Sequence, residues 1–98
     1  MNKSDLVLAL SDRTGLSRAD ATKAVEALFD AQDGLIARAL LAGEKVQLTG
    51  FGTFEAKKRG PRTGRNPRTG EEIRIASTVS PTFRPGKALK DGVKEVEL

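Results

Sequence analysis

The 98-residue chain contains no cysteine and no histidine. Without cysteine there can be neither a disulfide framework nor a thiolate metal site. Without histidine, the commonest general base and the commonest metal ligand are both missing. Aromatic residues make up 4% of the chain, all of them phenylalanine, and none lies between residues 57 and 74. That is poor material for a protein that stacks successive bases on aromatic rings. No apolar run approaches the length of a membrane span. The opening Met1-Asn2-Lys3-Ser4-Asp5 lacks the apolar stretch of a secretory leader, so a cytoplasmic location is expected. The stretch from Gly64 to Gly70 has the wrong spacing for a phosphate-binding loop and lacks the following lysine. A catalytic site would have to be assembled from scattered serines and carboxylates. The expectation is therefore a non-enzyme with no cofactor, no metal and no small-molecule substrate.

What the chain does have is basic charge, unevenly placed. Its 17 Lys+Arg and 13 Asp+Glu leave a net charge of +4. Residues 1–50 hold six basic and seven acidic side chains, whereas residues 57–74 alone hold seven basic and two acidic ones. A basic block beside a near-neutral body points to a polyanionic partner.

The pattern along the chain predicts an α+β fold in a single domain, residues 1–98. Residues 3–14 read as a helix capped by Asn2, with Asp5 favourable in its first turn and Gly15 as its stop. Ser17-Arg18-Ala19-Asp20 resembles a capping box and opens a longer helix, from about 18 to 42, stopped by Gly43. Its apolar face runs through Ala21, Val25, Leu28, Phe29, Leu35, Ile36, Ala39 and Leu40 at helical spacing. The first helix cannot cover a stripe of that length, so residues 1–43 are expected to form a helical dimerisation base. Alternation over Lys45–Thr49, then Thr53–Arg59, then Ile73–Ala76 predicts a three-stranded antiparallel sheet within 44–83. Phe83 reads as core, and Pro85 can open a short helix over 84–94. The tail Glu95-Val96-Glu97-Leu98 is expected to fray.

Between those strand patterns, Lys57, Lys58, Arg59, Arg62, Arg65 and Arg68 alternate with Gly, Pro, Thr and Asn, and no large apolar side chain occurs before Ile73. Such a segment cannot be core. It is either a disordered polar loop or a two-stranded ribbon arm, about 57–74, continuing the flanking strands outward. The near-symmetry of Thr63-Gly64-Arg65-Asn66-Pro67-Arg68-Thr69-Gly70 about the turn dipeptide Asn66-Pro67 supports the ribbon. Pro67 is then either a turn former or a rigid apolar wedge with no N–H to leave unpaired. A basic arm does not by itself distinguish DNA from RNA, and a protein-interaction module is a third reading.

Gly50-Phe51-Gly52-Thr53-Phe54, Arg59, Arg62 through Gly70, and Ile73 with Ile75 together resemble the signature of the bacterial histone-like HU and integration host factor family. The resemblance extends to Met1–Leu6 and to Gly86-Lys87-Ala88-Leu89-Lys90, and so covers essentially the whole chain. It implies an intertwined dimer in which helical hairpins form the base, strands form a saddle, and two arms embrace double-stranded DNA. Minor-groove binding with an inserted apolar wedge is the family's mode. It further implies arm contacts from Arg59, Arg62, Arg65, Asn66 and Arg68, with Pro67 as the wedge. Lys57, Lys58 and Arg74 would lie along the arm, and Lys3, Lys87 and Lys90 would meet phosphates on the saddle flank. Phe51, Phe54 and Phe83 would be dimer core. The implied role is DNA bending and compaction in the bacterial nucleoid, with low sequence specificity. Arg62-Thr63-Gly64 is HU-like, whereas Thr82-Phe83-Arg84-Pro85-Gly86 is closer to integration host factor. A homodimer is expected, and a heterodimer with a paralogue, binding a preferred site, stays open. The acidic tail after Lys94 departs from the family's pattern.

Overall fold

The computed structural model describes residues 1–98. The fold is α+β, and the chain divides into two compact units, Met1–Ala42 and Gly43–Leu98.

The first unit holds α1 (Lys3–Thr14), α2 (Arg18–Phe29) and α3 (Leu35–Leu41). The Asn2 side chain accepts the Asp5 N–H at 2.9 Å, and the Asp5 carboxylate accepts the Asn2 N–H at 3.1 Å, closing a reciprocal cap on α1. Ser17 Oγ accepts the Asp20 N–H at 3.1 Å at the start of α2, and only this half of the box forms there. Val7, Ala21 and Val25 are buried between α1 and α2, with Leu10 packed against them. This core is small, and Leu28, Phe29 and Leu35 are 41%, 54% and 64% exposed.

The single helix expected over 18–42 is broken into two. Asp30 leaves helical geometry with ψ 132°. Its carboxylate accepts the N–H of Asp33 at 2.7 Å and of Gln32 at 3.2 Å, offering the backbone a local alternative to the helical ladder. Those donors, Asp33 foremost, hold the Asp30 carboxyl below its ordinary pKa. The charge of Lys3 adds to this, and slight desolvation opposes it. The Gly34 N–H returns to the Asp30 carbonyl at 3.1 Å. A Cβ on residue 34 would lie 2.7 Å from both the backbone N and O of Asp30, so the close turn requires glycine there. In the sequence, apolar residues at helical spacing continue through the break, so periodicity could not reveal it.

In the second unit, β1 (Val46–Leu48), β2 (Gly52–Arg59) and β5 (Thr78–Pro85) form an antiparallel sheet in the order β1-β2-β5. β3 (Arg62–Arg65) pairs with β4 (Glu72–Ile75) as a separate two-stranded ribbon. The sheet is three-stranded as expected, but its third strand is β5. The strand expected at Ile73–Ala76 lies in the ribbon instead, as β4. Pro81 and Pro85 concealed β5 in the sequence. An edge strand tolerates them, because alternate N–H groups there have no ladder partner. Pro85 ends β5 rather than opening a helix. Gly86 is the N-cap of α4 (Lys87–Val93), whose Leu89 N–H reaches the Gly50 carbonyl at 3.2 Å. The Phe83 ring packs on Phe54 and Phe51, with centroids 4.8 and 5.6 Å away. Residues 94–98 are exposed. No helix is long and apolar enough to cross a membrane.

Candidate nucleic-acid interface

β1 covers only Gly52–Phe54 of β2, so from Glu55 outward β2 and β5 continue as two strands. Lys57, Lys58 and Arg59 stand on this outer stretch, opposite Ser80, Val79 and Thr78. Successive side chains of a strand alternate faces, so Lys57 and Arg59 share one face and Lys58 takes the other. The ladder then breaks on both strands at once, at Gly60-Pro61 and at Ala76-Ser77. Pro61, Arg62, Thr63, Arg74, Ile75 and Ala76 line a concavity beside the break.

Beyond the break, the ribbon pairs Arg62 with Ile75, Thr63 with Arg74, Gly64 with Ile73, and Arg65 with Glu72. Directly paired residues share a face. One face therefore carries Arg62, Ile73 and Ile75. The other carries Arg65, Arg74, Thr63 and Glu72. Ile75 lies close over Gly64: a Cβ on residue 64 would come within 3.3 Å of its Cδ1.

The tip comprises residues 66–71. The Asn66 N–H donates to the Glu71 carbonyl at 2.9 Å, and the Gly70 N–H donates to the Asn66 carbonyl at 2.7 Å. Gly70 sits at φ 74°, the left-handed conformation that ends such an α-turn. The turn runs through Pro67, Arg68 and Thr69. The near-symmetry of the sequence about Asn66-Pro67 is thus not the symmetry of the ribbon. The partner of Arg65 is Glu72, not Arg68, because the α-turn uses more residues on the C-terminal side.

Lys57, Lys58, Arg59, Arg62, Arg65, Pro67, Arg68 and Arg74 are all exposed, and Asn66 is half-buried. The ion pairs of the chain are Lys3–Glu26, Arg38–Asp33 and Lys45–Glu55, so no cation between 57 and 74 is neutralised within the chain. Lys87 and Lys90 are exposed on α4 in the same unit. Lys3 lies in the other unit, on α1, 3.3 Å from the Glu26 carboxylate. Arg84, an exposed cation on β5 opposite Thr53, joins these residues, and nothing in the sequence marks it because Pro81 and Pro85 conceal β5. The apolar face of the ribbon has a single signal in the sequence, the alternation of Ile73 and Ile75.

An α+β body bearing a basic, two-stranded, largely solvated arm defines a class of polyanion-binding ribbon protein. The sequence profile of the family described as "Bacterial DNA-binding protein" matches residues 1–94, and the chain belongs to that family. It is 55% identical over 94 residues to "DNA-binding protein HU" of Geobacillus stearothermophilus, covering 96% of this chain and 100% of that one. To "DNA-binding protein HU 1" of Bacillus subtilis it is 53% identical over 93 residues, covering 95% and 97%. Among solved structures, it superposes on the Anabaena HU–DNA cocrystal structure with a TM-score of 0.86 at 35% identity, covering 98% of this chain and 100% of that one. HU from Thermotoga maritima gives a TM-score of 0.62 at 30% identity, covering 95% and 98%.

Proposed function

We propose that this chain is an architectural protein of the bacterial nucleoid, a homodimer that binds double-stranded DNA through the minor groove with low sequence specificity, bends it and helps compact it. The observation that carries this reading is the arm: seven exposed cations without an intrachain ion pair, on a ribbon that ends in an exposed proline. Arginines are drawn to the negative potential of a narrow minor groove. Pro67 at the tip offers an apolar ring of the kind that wedges between base steps. The likeness to a chain solved with DNA supports DNA as the polyanion. Dimerisation is supported by the buried core of only three residues in the first unit, and by Phe51 and Phe83, 49% and 41% exposed, in the second. So small a core is a weak basis for a stable monomer.

An integration-host-factor-like subunit with a preferred site is the second reading, favoured by Thr82-Phe83-Arg84-Pro85-Gly86. The curated relatives at 53–55% identity carry the HU name and favour the first.

The test is binding to linear, nicked and kinked duplex DNA beside duplex RNA, with fluorescence transfer between duplex ends to report bending. If a dimer neutralises about six phosphates, log K should fall with log salt at a slope near −5. Tighter binding to duplex RNA, or no bending at saturation, refutes the proposal.

A further inference from the structure

We infer that Asn66 is a positioning residue, whose side-chain carbonyl sets the direction in which Pro67 is presented. The inference rests on the wedge reading above. Resemblance assigns Asn66 to the DNA contacts, but in the structure its acceptor is already engaged. Asn66 Oδ1 accepts the N–H of Arg68 at 2.9 Å, a bond that spans Pro67.

The backbone around the ring has few free torsions. A residue preceding proline is pushed toward extended conformations. The pyrrolidine ring locks the φ of Pro67 near −65°. The rotation that remains, about the Cα–C bond of Pro67, turns the following peptide plane relative to the ring. The N–H of Arg68 belongs to that plane, and the Asn66 side chain holds it. The tip as a whole is tied to the same residue, through the Asn66 N–H to Glu71 and the Asn66 carbonyl to Gly70. On the far side, the Glu71 N–H donates to Thr69 Oγ1 at 3.3 Å. Asn66 is half-buried although it lies in the exposed arm, as this engagement requires.

The two parts of the amide group have separate duties. Oδ1 serves the turn. Nδ2 donates to no protein atom, and its hydrogens suit the acceptors that A·T pairs show in the minor groove. Aspartate keeps the acceptor and loses those donors, while alanine loses both. Asx-type bonds of this kind are a recognised alternative to backbone turn bonds.

The experiment compares wild type, Asn66→Ala, Asn66→Asp and Pro67→Ala as full-length proteins. For each it measures the ratio of affinities for pre-kinked and linear duplex, and end-to-end fluorescence transfer at saturating protein. Asn66→Ala is expected to lower the ratio about fivefold, the scale of one net hydrogen bond, and to reduce bending at saturation. Asn66→Asp is expected to bind both duplexes more weakly, from its added negative charge, while keeping the wild-type ratio and bend. An Asn66→Ala protein with the wild-type ratio and bend overturns the inference, as does an Asn66→Asp protein that bends no better than Asn66→Ala. If Pro67→Ala itself keeps the wild-type ratio, the wedge reading fails. If Pro67→Ala loses it and Asn66→Ala does not, only the positioning role fails. Melting temperatures identify any loss of fold, which is not expected, because the tip touches no core.

Discussion

Arg65 stands directly opposite Glu72 in the ladder of the ribbon, on the face it shares with Arg74. The pair forms no ion pair, yet directly opposed side chains on one face lie close enough for their charges to interact. Glu72 therefore lowers the positive potential around Arg65, in the part of the arm that would approach phosphates. Replacing Glu72 by Gln should tighten binding to all duplexes by about two- to fivefold, the range of one cross-strand charge pair. Filter binding across a salt series will show this. Equal or weaker binding by the variant would mean that Glu72 faces away from the DNA.

Arg65→Ala should weaken binding alike for duplexes of different sequence. With two arms per dimer, the salt slope should become shallower by about 2. A loss confined to one sequence would point to site-specific recognition, and so to the integration-host-factor-like reading.

Pro67→Ala should bind linear duplex within a few-fold of wild type but lose most of its preference for kinked, nicked or supercoiled DNA. The arginines that hold phosphates and groove remain, whereas the ring that would fill an unstacked base step, at a cost of a few kcal/mol, is gone. Fluorescence transfer between the DNA ends gives the answer, and an unchanged bend would reduce Pro67 to a turn residue.

Folding should be coupled to association. Apolar side chains left exposed on both units need cover, so the melting temperature should rise with protein concentration, as it does when no stable folded monomer exists. Sedimentation that finds a folded monomer at micromolar concentration contradicts this.

The Asp30–Gly34 turn makes two linked expectations. Gly34→Ala would force a Cβ to within 2.7 Å of the Asp30 backbone, and such overpacking costs about 1–3 kcal/mol, visible in a thermal melt. Asp30 should titrate below a free aspartate, because the Asp33 and Gln32 N–H groups favour its charged form. A depressed folded-state pKa contributes stability above the unfolded value, and that stability is lost as pH falls through the folded one. Carboxyl-resolved NMR titration checks the shift. An Asp30 that titrates at or above the free value would mean that the turn is not formed in solution.

Much of this protein could be read from residues acting over one turn of chain. Asn2 and Ser17 cap where they were expected to, and Asp5 stands in the first turn of α1. Gly15 and Gly43 stop helices in left-handed geometry, at φ 76° and 75°, and the charge block between Lys57 and Arg74 stands on a ribbon. These signals are legible because a cap, a positive φ or a run of cations depends on the residue and its near neighbours alone. The break at Asp30 was hidden because a side-chain bond to the backbone leaves no trace in hydrophobic periodicity.

Strand partnership belongs to tertiary structure. β5 pairs with β2 across residues 19 to 33 apart, and only that pairing makes Pro81 and Pro85 acceptable, on an edge where alternate N–H groups go unused. The position of Arg65 opposite Glu72, rather than Arg68, follows from the length of the α-turn that Asn66 and Gly70 close. Composition and local conformation thus determined that a basic arm exists and where it turns. Hydrogen bonding between distant strands decided which faces its cations share, because register is a property of the pair and is written in neither strand alone.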